Sequence, residues 1–180
     1  FCFATFKQQE QPYLFLEDFV NPLAISVGNP DKKAVPNTLE LGVAAPSRNC
    51  IITGPNAGGK STLIKAVGIN TLLAQSIGIA MAKKCVLTPF KMVATYLNIT
   101  DDINMGNSLF KAEVLRTQEL ISKLTALNPG EYGLLIFDEV FNGTTPKEGT
   151  AAAYAVAEFL GACLNGITIV ATHFELLTEL

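Results

Sequence analysis

The sequence predicts an α/β fold: a mostly parallel sheet with helices on both faces, preceded by an N-terminal antiparallel β portion. In residues 1–47, short apolar runs are broken by prolines and glycines, which is typical of strands and turns. From residue 48 onward, apolar strand-like runs alternate with longer segments of helical periodicity, which favours a parallel sheet. We therefore divide the 180 residues into a β-rich portion (1–47) and a core (48–180) of one domain.

Three helices and several strands follow from the hydrophobic periodicity. The helices are expected at Lys60 to about Gln75, around Phe110 to Leu124, and from about Pro146 to Leu164. The apolar face of the second is indicated by residues at helical spacing: Phe110, Val114, Ile121 and Leu124. Strands of the core are expected at Cys85–Thr88, Val93–Ile99, Leu134–Phe137 and Ile167–Ala171. Strands of the N-terminal portion are expected at Tyr13–Phe19, Leu23–Val27 and Leu39–Val43.

The composition excludes several classes of protein. The four cysteines lie far apart, which disfavours a zinc site and a disulfide framework, so we expect reduced thiols. No apolar run is long enough to cross a bilayer, and no secretory signal is visible, so we expect no membrane contact and a cytoplasmic location. The formal net charge of −3 suits a DNA backbone poorly, so any DNA contact is expected outside these residues.

A glycine-rich loop carries the strongest functional signal. Gly54, Gly59, Lys60 and Ser61 match the pattern GxxxxGK[ST], between a strand ending near Ile52 and a helix. Successive backbone N–H groups of such a loop surround phosphates, the lysine neutralises them, and the serine hydroxyl binds Mg²⁺. The alternative is an ordinary glycine turn with a solvated lysine, which the combination of four matched positions and the strand-to-helix context disfavours.

Polar side chains follow two later strands. Asp138 and Glu139 come directly after the apolar run that ends at Phe137, and His173 follows Thr172. Because open α/β sheets bind ligands at the carboxyl ends of their strands, we expect these residues beside the loop. Asp138 is predicted to hold Mg²⁺, Glu139 to activate water for attack on a γ-phosphate, and His173 to contact that phosphate. The alternative for the acidic pair is a solvated turn, and the alternative for His173 is a surface residue or a satisfied core residue.

Four segments together resemble the MutS family. The loop TGPNAGGKST (53–62) is similar to the family's phosphate loop, and DDINMGNSLF (101–110), with Glu113 after it, resembles its signature segment. The run from Asp138-Glu139 through Gly143-Thr144 to Gly149 and the run ATHF (171–174) match two further motifs. The resemblance extends from about residue 35 to residue 180.

The resemblance implies a P-loop NTPase of ABC type that hydrolyses ATP with Mg²⁺ to switch a DNA-bound dimer in mismatch repair. Nucleotide contacts are then assigned to Gly54, Pro55, Asn56, Ala57, Gly58, Gly59, Lys60, Ser61, Thr62, Val35 and Asn37. Ser108 is expected to contact the nucleotide of the other subunit in trans; its alternative role is to cap its own helix. Asn37 could equally be a turn former. The implied partners are a second copy, DNA through regions outside this sequence, and other repair proteins.

The sequence also departs from the family. Asn21-Pro22 stands where His-Pro is common, Ala34 where an aromatic residue is common, and Asn142 where arginine is frequent. These differences suggest a divergent branch, and the alternative function is an ATP-gated dimerisation module not acting in mismatch repair. An ABC-type transport ATPase is disfavoured because the segment around Ser108 lacks an LSGGQ-like signature. Since the sequence begins at Phe1 and ends at Leu180 in the first turn of a helix, we expect a fragment truncated at the C-terminus, with weak activity on its own.

Overall fold

The computed structural model describes residues 1–24, 34–42, 45, 47–55, 58–97 and 109–180. Within these ranges the chain forms two sheets and three α-helices, so the expected mixed α/β class is confirmed. The helices are α1 (Lys60–Ile77), α2 (Leu109–Thr125) and α3 (Pro146–Ala162). The strands are β1 (Cys2–Phe6), β2 (Tyr13–Phe19), β3 (Asn37–Gly42), β4 (Cys50–Thr53), β5 (Ile79–Ala80), β6 (Lys84–Leu87), β7 (Met92–Tyr96), β8 (Gly133–Asp138) and β9 (Gly166–Thr172).

The first sheet has the strand order β3-β2-β6-β1-β5. β2 pairs antiparallel with β3 and β6, and β1 pairs antiparallel with β5 but parallel with β6. The N-terminal part is therefore mainly antiparallel, as predicted. Two of its strands, β5 and β6, follow α1 in the chain, so the sheet is completed by residues beyond position 47.

The second sheet has the order β4-β9-β8-β7, and each of its neighbouring pairs is parallel. β8 and β9 are its central strands and are almost fully buried. Burial on both faces explains why Leu134 to Phe137 is a continuous apolar run rather than an alternating one.

Alternate side chains of β8 enter two different cores. Leu134 and Ile136 pack in the cluster that contains Ile64 and Val67 of α1. Leu135 and Phe137 pack in the cluster that contains residues of α2 and α3. Because successive side chains of a strand point to opposite faces, α1 covers one face of the parallel sheet and the other two helices cover the opposite face.

A buried asparagine fixes α1 against the N-terminal part. The side-chain amide of Asn70 donates to the carbonyl oxygens of Val20 (2.9 Å) and Ala66 (2.9 Å), and its oxygen accepts the N–H of Met81 (2.6 Å). A buried polar side chain is stable only when its donors and acceptors are bonded. Asn70 therefore sets the position of the helix that carries the glycine-rich loop.

Two predictions from the sequence were wrong in detail. Pro22–Ala24 forms a 3₁₀ turn rather than the start of the strand expected at 23–27, whose other residues lie outside the described part. The Asn21 side-chain oxygen accepts the N–H of Leu23 (3.0 Å) and holds that turn. Val114, expected on the apolar face of α2, is 40% exposed.

In the described ranges, none of the helices combines the length and the apolar character that a membrane crossing requires. All four cysteines are free thiols; they were also expected to be buried, but only Cys85 is, and the other three are partly exposed.

Candidate active site

The glycine-rich loop leaves β4 after Thr53 and enters α1 at Lys60. Gly59 caps the helix in the left-handed conformation, with φ of +88°, and Gly54 has φ of +149°. Side-chain-bearing residues rarely adopt such backbone angles, so the glycines set the path of the loop. Asn56 and Ala57, two predicted contacts, lie outside the described residues.

The Lys60 side chain bends back over the start of the loop. It is 8% exposed, and its Nζ donates to the carbonyl oxygens of Gly54 (2.7 Å) and Pro55 (3.1 Å). A buried ammonium group needs such acceptors, and a phosphate would supply stronger ones. The positive charge therefore lies beside the start of the loop.

Ser61 and Asp138 join the loop to the parallel sheet. The Ser61 hydroxyl donates to Oδ1 of Asp138 at 3.0 Å, although the residues are 77 positions apart. Both side chains offer oxygen, the donor atom that Mg²⁺ prefers. The donor set therefore fits the predicted magnesium site.

Glu139 and His173 form the second pair. The His173 Nε2 and Glu139 Oε1 atoms are 2.5 Å apart, and the two side chains are about one-third exposed, at 33% and 37%. The Glu139 backbone has φ of +55°, and its N–H donates to the carbonyl oxygen of Ala171 (2.9 Å). The turn after β8 thus aims the Glu139 carboxylate at the end of β9, where His173 follows.

Two cavities flank the first turn of α1. The larger, about 840 Å³, is lined by most of the described nucleotide-contact candidates: Val35, Asn37, Gly54, Pro55, Gly58, Gly59, Lys60 and Thr62. The smaller, about 290 Å³, is lined by Ser61, Lys65, Tyr96, Leu109, Glu113, Asp138, Glu139 and Asn142. Most residues predicted for nucleotide binding therefore lie on one side of the start of α1, and Ser61, Asp138 and Glu139 lie on the other. His173 lines neither of these two cavities and contacts Glu139.

Residues of the N-terminal part complete the larger cavity. Val35 is 76% exposed, and its carbonyl oxygen accepts an N–H of the Asn37 amide at 3.1 Å. Asn37 is the first residue of β3 and also lines the cavity. The Asn21 amide donates to the Thr62 carbonyl oxygen at 3.4 Å, which links this part to α1.

Sequence reasoning assigned no role to Glu113. It is 3% exposed, and its two carboxylate oxygens accept the N–H groups of Asn142 (3.1 Å) and Gly143 (3.0 Å). Two signals were available: its place in the segment that resembles the family's signature, and its place on the same helical stripe as the buried Thr117, Leu120 and Leu124. A charged residue on a buried stripe indicates a specific partner. Ser108, predicted to act in trans, lies outside the described residues.

Comparison with known proteins assigns the sequence that forms this site to a family. The family model for MutS domain V matches residues 50–180, which include the loop, both acids and the histidine. The chain belongs to the MutS family.

Relatives in this family have the same region within much longer chains. The chain is 35% identical to "Probable DNA mismatch repair protein Msh6" of Drosophila melanogaster over 170 residues, which are 94% of this chain and 13% of the relative. It is 32% identical to "DNA mismatch repair protein MutS" of Bacillus licheniformis over 188 residues, covering 99% of this chain and 21% of the relative. It is 30% identical to "DNA mismatch repair protein Msh3" of Dictyostelium discoideum over 175 residues, covering 97% of this chain and 12% of the relative. The chain thus spans about an eighth to a fifth of these relatives.

Proposed function

We propose that this chain is the ATP-binding and ATP-hydrolysing domain of a MutS-like DNA mismatch repair protein. The observation that carries the proposal is the Ser61–Asp138 hydrogen bond, which brings the glycine-rich loop and the acidic strand end together. The names of the three relatives, all mismatch repair proteins, support the biological setting. The proposed fold is a P-loop NTPase of ABC type, with 1–47 as its β-rich portion and 48–180 as its core.

ATP binds along the start of α1 in this proposal. The backbone N–H groups of residues 54–62 and the positive end of the helix bind the phosphates. Lys60 exchanges its two carbonyl acceptors for phosphate oxygens, and Val35 and Asn37 contact the nucleoside in the larger cavity. The volume of about 840 Å³ is in the range of cavities that enclose small molecules.

Ser61 and Asp138 would hold Mg²⁺, the serine directly and the aspartate through water. When bound, the ion neutralises phosphate charge. The residues themselves are already oriented, since each fixes the other by the 3.0 Å hydrogen bond.

Glu139 acts as the general base. It accepts a proton from a water molecule whose oxygen attacks the γ-phosphorus, while the bond from that phosphorus to the ADP oxygen breaks, giving ADP and phosphate. His173 orients the Glu139 carboxylate by the Nε2–Oε1 contact. Its second role in the proposal is to contact the γ-phosphate.

The nucleotide switches a homodimer in the cytoplasm. Ser108 of each subunit contacts the other subunit's nucleotide, and DNA is bound by regions outside these 180 residues, where other repair proteins also bind. Turnover by the chain alone is therefore weak. A net charge of −3 supports the placement of DNA contacts elsewhere.

A second candidate is an ATP-gated dimerisation module that does not act in mismatch repair. Asn142 favours it, because an asparagine amide occupies a position that is frequently arginine in the family and donates to Glu139 Oε2 at 3.3 Å. An arginine there would place a full positive charge beside the base, which the amide does not supply.

The test is steady-state ATP hydrolysis by the longer protein, wild type against Glu139→Ala, with homoduplex, mismatched and branched DNA. We expect ATP binding in both proteins, turnover only in the wild type, and a change in the wild-type rate with mismatched or branched DNA. If ATP drives dimerisation while no DNA changes the rate, the mismatch repair assignment fails and the second candidate replaces it.

A further inference from the structure

The turn that carries Glu139 is held by a buried carboxylate from another element. Glu113 lies on α2, and its two oxygens accept the N–H groups of Asn142 and Gly143 at 3.1 and 3.0 Å. Hydrogen bonds to a carboxylate are stronger than those between neutral groups, and a buried donor left without a partner costs its full desolvation penalty. Glu113 therefore fixes the turn relative to α2.

The held turn has an unfavourable backbone. Glu139 and Phe141 both adopt left-handed angles, with φ of +55° and +62°. Such residues persist only where their surroundings over-determine the conformation. The two N–H bonds to Glu113 supply that constraint.

The turn also packs directly on the first residues of α2. A Cβ at Gly143 would come within 2.7 Å of Leu109 Cγ and 2.9 Å of the Phe110 backbone nitrogen, so no side chain fits there. The Phe110 and Phe141 rings lie 5.9 Å apart. The start of α2 and the turn after β8 are thus one packed unit.

A displacement of this packed unit would move the Glu139 carboxylate, because Asn142 connects Glu113 to Glu139. The Asn142 backbone is bonded to Glu113 while the Asn142 side-chain amide donates to Glu139 Oε2 at 3.3 Å. Glu113, Asn142 and Glu139 line the same small cavity. Tyr96 lines it too, and burial together with the charge of Glu113 raises the pKa of its hydroxyl well above the usual range, so the hydroxyl stays neutral.

We propose that Glu113 is a positioning residue for hydrolysis, which holds the Glu139 turn in register with the start of α2. The inference rests on the proposed function, because Glu139 is the proposed base. α2 begins at Leu109, so the element that carries Glu113 starts directly after Ser108 in the sequence.

The test compares Glu113→Gln with Thr117→Val, a matched change one turn further along the same buried face. Thr117 Oγ1 donates to the Glu113 carbonyl oxygen at 2.9 Å and is not among the residues that line the cavity, so its loss removes a bond within the helix and leaves the Glu113 carboxylate bonded to the turn. In the longer protein we expect Glu113→Gln to lower kcat for ATP about tenfold, as a small misplacement of a catalytic group does, with KM within about twofold. Thr117→Val leaves both unchanged.

Hydrogen–deuterium exchange of the peptide 139–145 in the same proteins gives a second readout. We expect faster exchange there in Glu113→Gln, because one N–H loses its acceptor, and wild-type exchange in Thr117→Val. If Glu113→Gln does not fold, Glu113→Asp, one methylene shorter, is expected to show the same two changes.

Wild-type kcat and exchange in the Glu113 variants would overturn the proposal, as would an equal loss of kcat in Thr117→Val. A wild-type protein without ATP turnover would instead defeat the proposed function. In that case the exchange rates still decide whether Glu113 holds the turn.

Discussion

The Ser61 hydroxyl donates a 3.0 Å hydrogen bond to Oδ1 of Asp138 and so connects the first turn of α1 to the end of β8. The first prediction concerns this pair. Ser61→Ala is expected to weaken binding of ATP in the presence of Mg²⁺ by at least about tenfold, since even indirect partners of a metal contribute roughly 10–100-fold to its affinity. Binding measured in EDTA should change little.

Ser61→Thr is the control, because it keeps the hydroxyl and the loop pattern allows either residue. Equilibrium titration with a fluorescent ATP analogue, with and without Mg²⁺, provides the measurement. Equal losses with and without Mg²⁺ would show that Ser61 does not act on the metal.

Gly59→Ala tests whether the loop depends on its backbone angle. Apart from its two chain neighbours, no described residue has an atom within 4 Å of a Cβ built at this glycine, so the left-handed φ of +88° is the cost that we expect. We expect a loss of about 1–2 kcal/mol in the free energy of unfolding, and weaker ATP binding.

Gly161→Ala is the matched control. Gly161 also has open space around a built Cβ but lies in α3 without a positive φ, so alanine is expected to stabilise the chain by about 0.5–1 kcal/mol. Urea titrations of wild type and both variants measure the free energy of unfolding. Equal values for Gly59→Ala and wild type would refute the role of the left-handed backbone angle.

The features of the fold and site that the sequence predicted are those encoded by contiguous residues. The glycine-rich loop and the Asp138–Glu139 pair were predictable, because a loop pattern between a strand and a helix and a continuous apolar strand are contiguous signals. The expected α/β class followed from the same alternation. The sharing of β6 with the N-terminal sheet was not predictable, since an apolar run such as Lys84–Leu87 does not encode which strand it pairs with.

The part of the site that sequence reasoning missed depends on contacts between distant residues. Glu113 belongs to a motif, but the motif does not indicate what its carboxylate binds, because its two partners are backbone groups 29 and 30 positions away. The left-handed backbone angle of Glu139 (φ of +55°) could not be predicted from the sequence either, because only tertiary packing stabilises such an angle in a residue other than glycine.

Alkaline pH is predicted to destabilise the chain. Burial raises the pKa of the Cys85 thiol to about 12, and burial together with the Glu40 hydrogen bond raises the pKa of the Tyr13 hydroxyl to about 12. Between the usual pKa values of these groups and 12, the unfolded chain releases protons that the folded chain retains, so the free energy of unfolding falls as the pH rises. Their contribution is fully present at neutral pH.

Urea unfolding at pH 8, 9, 10 and 11 measures this slope. Tyr13→Phe removes one of the two groups and is expected to reduce the slope above pH 10, although it also removes the 2.7 Å hydrogen bond to Glu40 and lowers stability at every pH. A stability that stays constant up to pH 11 would contradict the prediction.

The central claim is that Glu139 is the base of an ATP-hydrolysing site, and a comparison of ATP binding with hydrolysis tests it most directly. The measurement is single-turnover hydrolysis and equilibrium ATP binding by the longer protein, for wild type, Glu139→Gln and the exposed control Glu158→Gln. We expect Glu139→Gln to bind ATP with wild-type affinity and to hydrolyse it at least about 100-fold more slowly, in line with the loss of a general base. Glu158→Gln should match the wild type in both, and wild-type hydrolysis by Glu139→Gln would contradict the account.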